Sequence, residues 1–282
     1  MPDDASGGPS VITLTTIPPR FAALGPTLAS LVSQDLPAPV ELWIPDRYAR
    51  FPGWDGSLPP VPAGVTIRRS SRDWGPATKV VPAALERAGT AVDLLFCDDD
   101  SIYAPDWHRR FKALRRARPD EALAALGRHL PGRAKGPRLR EDRMPRMRRR
   151  PPGVTRPILA EQGYGDGPPV ALVAESGYAD LLGGWGGVMV RPSFFAPHLA
   201  DGPGRWWPVD DVWLSGMLEL GGTAIWIEAS ILPPGRRNIG GTAALTRLSV
   251  DGDGRAALDQ GCIADLTARH RIWTAGSLGM PV

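Results

Sequence analysis

Three consecutive carboxylates, Asp98-Asp99-Asp100, end an apolar run of strand length, Val92-Asp93-Leu94-Leu95-Phe96-Cys97. Adjacent acids repel one another, and the end of a buried strand is a costly place to concentrate them. Mg²⁺ or Mn²⁺ would relieve the repulsion, because both favour hard oxygen ligands and often take one or two carboxylates plus substrate phosphates. A lone Asp there would read as a cap or solvated turn; a triplet after such a strand reads better as a metal site. A second acidic pair, Asp210-Asp211, opens the apparent helix that continues through Val212-Trp213-Leu214. Either acid would cap that helix or supply a general base. The run Gly183-Gly184-Trp185-Gly186-Gly187 sets four glycines around one tryptophan. Such a run lets backbone approach a ligand closely while leaving an aromatic face, or else forms a bulged strand or tight turn.

The elements that must position these groups follow from hydrophobic periodicity. Ser10 to Thr15 reads as a first buried strand, ending in Thr16-Ile17-Pro18-Pro19-Arg20. Leu24, Leu28, Leu31 and Val32 recur at helical spacing, and Pro37 and Pro39 stop that helix. Val40–Ile44 and Val65–Arg68 read as strands, and Thr78–Ala88 as a helix with Pro82 as a kink or near its first turn. Ala91–Phe96 is the strand that carries the triplet. Residues 105–118 read as a basic amphipathic helix, and Ala122–Leu126 as a short strand. Later come the apolar run Val170-Ala171-Leu172-Val173, a strand at Ala224–Ile227, and a helical tail from Leu258 to Trp273. Strand and helix alternate over about the first 125 residues, so the expected fold class is α/β, a mostly parallel sheet flanked by helices. In such sheets ligands bind beyond the carboxyl ends of the strands. Thr15-Thr16 and the triplet both fall there. No G-x-G-x-x-G follows the first strand and no G-x-x-x-x-G-K-[ST] occurs, which argues against a nicotinamide dehydrogenase or P-loop NTPase.

The chain has 282 residues, 43% of them hydrophobic, enough for one large α/β domain or two small ones. No run approaches the roughly 18 apolar residues needed to span a bilayer. The acidic Gly/Pro-rich start, residues 1–9, reads as disordered and as neither a secretory signal nor a transit peptide, so a cytoplasmic location is expected. Cys97 and Cys262 lack metal-ligand spacing and read as buried thiols. The formal charge of +3 is local in origin: residues 133–150 carry a net +7, leaving −4 elsewhere. That Pro-rich basic segment reads as a solvated insertion or as an electrostatic arm for an anionic acceptor or anionic membrane surface. No nucleic-acid module accompanies it. One domain is expected over 10–282, with a basic insertion at 128–169 between a first half at 10–127 and a second at 170–282.

These pieces suit a nucleoside diphosphate bridged by metal, with a sugar packed on an aromatic face and an acid to deprotonate an acceptor hydroxyl. The sequence resembles the GT-A-fold glycosyltransferases, particularly bacterial polysaccharide-type members. The residues that carry the likeness are Thr16-Ile17-Pro18-Pro19-Arg20, Asp73-Trp74-Gly75-Pro76-Ala77-Thr78-Lys79, Asp98-Asp99-Asp100, Gly186-Gly187-Val188 and Asp210-Asp211-Val212-Trp213-Leu214. The resemblance implies a Rossmann-like fold and transfer of a sugar from a nucleotide-sugar donor to a glycan or other hydroxyl acceptor. Thr15, Thr16, Pro18 and Arg20 would line the nucleotide pocket. Asp73 would contact base or ribose, and Lys79 the diphosphate. Asp98 and Asp100 would hold Mn²⁺ or Mg²⁺ with Asp99 beside them, Asp100 in more direct contact, and His270 is the candidate third ligand. Trp185, Gly186 and Gly187 would border the sugar, and Asp211 or Asp210 would be the base if the enzyme inverts. His129 is a further metal candidate, and Trp206-Trp207 are candidate acceptor contacts. Alternative readings are a nucleotidyltransferase or phosphotransferase on a related sheet, and a catalytically inactive binding subunit.

Overall fold

A computed structural model describes residues 8–130, 148–149, 172–195, 197–236, 245 and 248–273. Residues 1–7 of the expected disordered start and nearly all of the basic segment 133–150 lie outside the described residues, while the Gly8 and Pro9 carbonyls accept hydrogen bonds from Lys112 and from the Asp93 N–H. In chain order the elements are β1 (Ser10–Thr15), α1 (Gly25–Val32), β2 (Val40–Pro45), β3 (Val65–Ser70), α2 (Val81–Glu86), β4 (Asp93–Phe96), β5 (Ser101–Ile102), α3 (Trp107–Ala117), β6 (Ala122–Ala124) and β7 (Gly127–Arg128). They continue with β8 (Arg148–Arg149), β9 (Val173–Glu175), β10 (Gly177–Ala179), β11 (Leu181–Leu182), β12 (Val188–Val190), α4 (Asp210–Leu220), β13 (Ile225–Ile227), β14 (Gly235–Arg236) and α5 (Arg255–His270). Pro82 lies in the first turn of α2, where its missing N–H costs nothing. The run from Gly75 to Lys79 forms a separate 3-10 turn, so the single helix expected from Thr78 to Ala88 is two pieces.

The fold is α/β. Eight strands form one sheet in the order β10-β13-β6-β12-β4-β1-β2-β3. β1, β2, β3 and β4 pair in parallel, as do β6 and β13. β12 runs antiparallel to both β4 and β6, and β10 antiparallel to β13. A strand from the second half of the sequence, β12, therefore threads between β4 and β6 of the first half. The reversal of β12 also matters for function. Its first residue, Val188, pairs with Phe96, so the glycine-rich run before it lies at the same sheet edge as the triplet after β4.

Side-chain alternation divides the core between the two faces of the sheet. Ile12, Leu14, Leu95 and Met189 join Leu28 and Leu31 of α1 and Phe111 of α3 on one side. Val11, Leu94, Phe96, Val188 and Val190 join residues of α2, α4 and α5 on the other. Covered on both faces, the central strands read as continuous apolar runs.

At the opposite, amino-terminal edge of β4 the fully buried Asp93 is enclosed by cations. Lys112 Nζ lies 3.1 Å from its carboxylate, Arg115 Nε 3.1 Å and Arg191 Nε 3.0 Å. Arg115 also donates to the carbonyls of Glu121 and Met189. The basic face expected for residues 105–118 is thus partly turned inward, tying α3 to the base of the sheet. Among the described residues no helix is long and apolar enough to cross a membrane.

Candidate active site

Four segments meet at the carboxyl edge of the sheet. β1 leads into Thr16 and the 3-10 turn Pro18–Ala23, and β4 leads into Asp98–Asp100. The turn Gly75–Lys79 delivers Lys79, and the first turn of α4 delivers Asp210 and Asp211. α4 begins after Val209 with no side-chain cap. The acids therefore do not cap it; their side chains turn toward Lys79 instead.

Lys79 is the hub. Its Nζ lies 2.7 Å from Asp98 Oδ1, 2.9 Å from Asp210 Oδ2 and 4.0 Å from Asp211 Oδ1. Burial alone would depress its pKa, but Asp210, Asp98 and Asp211 together raise it well above the usual lysine value, so it is charged. The expected diphosphate ligand is instead buried among carboxylates. Asp211 Oδ1 also accepts the Gly184 N–H at 3.1 Å. A Cβ at Gly184 would lie 2.6 Å from that oxygen and 2.7 Å from Lys79 Nζ, so any side chain there would displace both groups. Burial, then the neighbouring Asp210, pushes Asp211 up to about 7.

Arg20 serves the other side of the triplet. Its Nη1 donates to Asp99 Oδ1 at 2.5 Å and lies 3.8 Å from Asp100 Oδ2. Thr16 Oγ1 donates to Asp99 Oδ2 at 2.6 Å, and Thr27 Oγ1 to the Asp99 carbonyl at 3.0 Å. Burial raises Asp99 to about 6, opposed by Arg20 and the Thr16 hydrogen bond. The middle acid is thus the anchor of the triplet, while Asp98 and Asp211, with side chains 33% and 21% exposed, reach solvent.

Several other expected site residues have packing partners. Thr15 Oγ1 donates to the Trp43 carbonyl, and Asp73 accepts the N–H groups of Ala49 and Gly75, both at 2.8 Å. Asp73 therefore staples the loop after β2 to the Lys79 turn. Pro18 opens its 3-10 turn. The glycine run is a 3-10 turn at Gly184–Gly186 rather than a bulged strand. Gly187 has φ of +96°, and a Cβ there would meet the Trp107 ring at 2.4 Å. Trp107 Nε1 donates to the Gly186 carbonyl. Trp185 is half-buried against the core. Trp206 is held by Asp265 of α5 at 2.8 Å, and Trp207 packs on Gly75.

Sequence reasoning missed Tyr103, Thr27 and the role of Gly184. The Tyr103 hydroxyl donates to the Asp98 carbonyl at 3.0 Å and accepts the Asp98 N–H at 3.1 Å. It also lies 3.4 Å from the Trp185 carbonyl, joining the triplet to the glycine turn. Only the four-glycine run signalled any of this.

His270 is not brought to the triplet. It ends α5 with its ring 5.5 Å from that of His198, and His129 lies 3.9 Å from Asp180. Among the described residues no three His, Cys, Asp or Glu side chains group as a metal site. Asp98 and Asp100 present carboxylate oxygens, the donor type that a hard divalent cation takes together with substrate and water.

No protein-family model matches the chain. No curated protein matches it either. Among solved structures the chain is similar to Staphylococcus aureus TarS 1–349 in complex with UDP, at 14% identity and a TM-score of 0.42 over 80% of this chain and 60% of that one. It is similar to the same TarS segment in complex with UDP-GlcNAc, at 14% identity and 0.44 over 93% and 72%. With S. aureus TarS the figures are 13% identity and 0.42 over 95% and 44%. The chain thus spans 60% of the first of these structures and 44% of the last.

Proposed function

We propose that this chain is a glycosyltransferase that moves a sugar from a nucleoside-diphosphate donor to a hydroxyl acceptor. One observation carries the reading: two partly exposed carboxylates, Asp98 and Asp211, flank a buried lysine at the ligand edge of an α/β sheet. Asp211 is the base. Held at about 7 by burial and Asp210, it is basic enough to accept a proton from an acceptor hydroxyl near neutral pH. The hydroxyl oxygen then bonds to the anomeric carbon as the bond from that carbon to the diphosphate oxygen breaks. The diphosphate leaves with the electron pair, and the anomeric configuration inverts.

Asp98 and Asp100 would hold Mn²⁺ or Mg²⁺. When bound, that ion supplies positive charge for the departing diphosphate. Thr16, Arg20 and Asp99 brace the loop on which the donor rests, and Asp73 fixes the neighbouring wall. The Gly184–Gly186 turn gives the sugar close access to backbone, with Trp185 beside it.

The test is a melting-temperature panel of UDP-, GDP-, CDP- and dTDP-sugars, each with and without Mn²⁺. Stabilisation by one nucleotide class that increases with Mn²⁺ supports the reading. No response to any donor refutes it in favour of an inactive binding subunit.

A further inference from the structure

We infer that Lys79 is a positioning residue that locks the donor-side acid Asp98 to the acceptor-side acids Asp210 and Asp211, and is not a ligand of the donor's diphosphate. This rests on the transferase reading above and specifies how its two halves are held in register. The ammonium has three donors, and three carboxylates stand within 4.0 Å of it. They come from two elements far apart in sequence, the end of β4 and the first turn of α4. The Phe96 ring centroid lies 5.7 Å from Nζ, Gly184 closes another side, and the side chain is 4% exposed. A phosphate could reach this ammonium only by displacing a carboxylate.

The base of the lysine is equally fixed. Thr78 Oγ1 accepts the Trp74 N–H at 3.1 Å, and Asp73 Oδ1 accepts the Gly75 N–H at 2.8 Å. The turn that delivers Lys79 is therefore locked on itself. Without the cation, Asp98, Asp210 and Asp211 would repel one another, and Asp211 would lose its seat against the Gly184 N–H. Lys79 thus sets the separation between the group that faces the leaving diphosphate and the group that takes the acceptor's proton. Small errors in that separation weigh heavily on rate and little on ground-state binding.

The chain has three lysines, Lys79, Lys112 and Lys135, so ¹⁵N-lysine labelling of the wild-type protein resolves Lys79 directly. The Lys79 ammonium signal is expected to stay in place when the nucleoside diphosphate of the active donor saturates the protein. A large shift on saturation overturns the inference. Lys79→Gln is expected to lower kcat at least 100-fold while donor KM and nucleoside diphosphate Kd stay within about threefold. The charge-balanced Lys79→Gln/Asp210→Asn variant is expected to show the same split, and it serves if the single variant does not fold. A rise of tenfold or more in Kd and KM, with kcat retained, overturns the inference and leaves the transferase standing. A wild-type protein that neither binds a nucleoside diphosphate nor releases one from any donor refutes the transferase, and this inference with it.

Discussion

Asp211→Asn separates a catalytic role from a structural one because it should move activity and stability in opposite directions. The amide oxygen can still accept the Gly184 N–H, but it cannot accept the acceptor's proton. Loss of a general base costs roughly 10²–10⁴ in rate, about 2.7–5.4 kcal/mol. Stability responds differently. Holding Asp211 at about 7, against 3.8 for an open carboxylate, disfavours its ionised form in the folded state. The upper bound is ~4 kcal/mol. With 21% of the side chain exposed, solvent screening halves this to about 2 kcal/mol.

The folded state holds this proton more tightly than the unfolded chain. Its contribution therefore favours the fold most below about pH 4 and is lost as pH rises through about 7. The Asn variant lacks that loss, so at pH 8 its Tm should exceed the wild-type value by roughly 4–8 °C. The assay is nucleoside diphosphate release, followed as kcat/KM from pH 5 to 9. The wild type should gain rate with pH through about 7, and the variant should lose that limb. A variant within fivefold of wild type, or one that loses Tm and rate together, refutes Asp211 as the base.

Gly184→Ala places a methyl 2.6 Å from Asp211 Oδ1 and 2.7 Å from Lys79 Nζ; kcat should fall roughly 10- to 100-fold, and full activity would contradict the contact. Asp93→Ala leaves Lys112 and Arg115 buried without their shared carboxylate. It should cost about 3–5 kcal/mol in a urea melt, and a loss under 1 kcal/mol would show that the cluster relaxes freely. Asp100→Ala should abolish donor turnover that depends on Mn²⁺, and chelation should do the same to wild type. Turnover that survives both would remove the metal from the account.

The α/β class was legible because apolar strands such as Leu94–Phe96 must be covered on both faces, and the acids follow that strand. The antiparallel entry of β12 was not legible. A short buried run such as Val188–Val190 carries no directional signal, and its place between β4 and β6 depends on pairings distant in sequence. The candidate acids were identified by type, yet their division of labour was hidden. Asp99 as an anchor needs Arg20 and Thr16 beside it in space, and Asp73 as a staple needs the backbone of Ala49. The resemblance implied that Lys79 meets the diphosphate. The burial of its ammonium among three carboxylates, which supports the positioning role instead, depends on residues far apart in sequence. The tail helix was found within three residues, but the metal role proposed for His270 came from the resemblance, and the helix carries that residue toward His198.

The central claim is that a nucleotide sugar occupies the edge formed by the triplet, the Lys79 turn and the glycine run. Amide hydrogen exchange with and without a saturating donor and Mn²⁺ tests it most directly. The account predicts slowed exchange at Thr15–Arg20, Asp98–Ile102 and Gly183–Gly187, with no change around Asp93 and Lys112 at the opposite edge. Protection confined to other segments, or none with any donor, would contradict it.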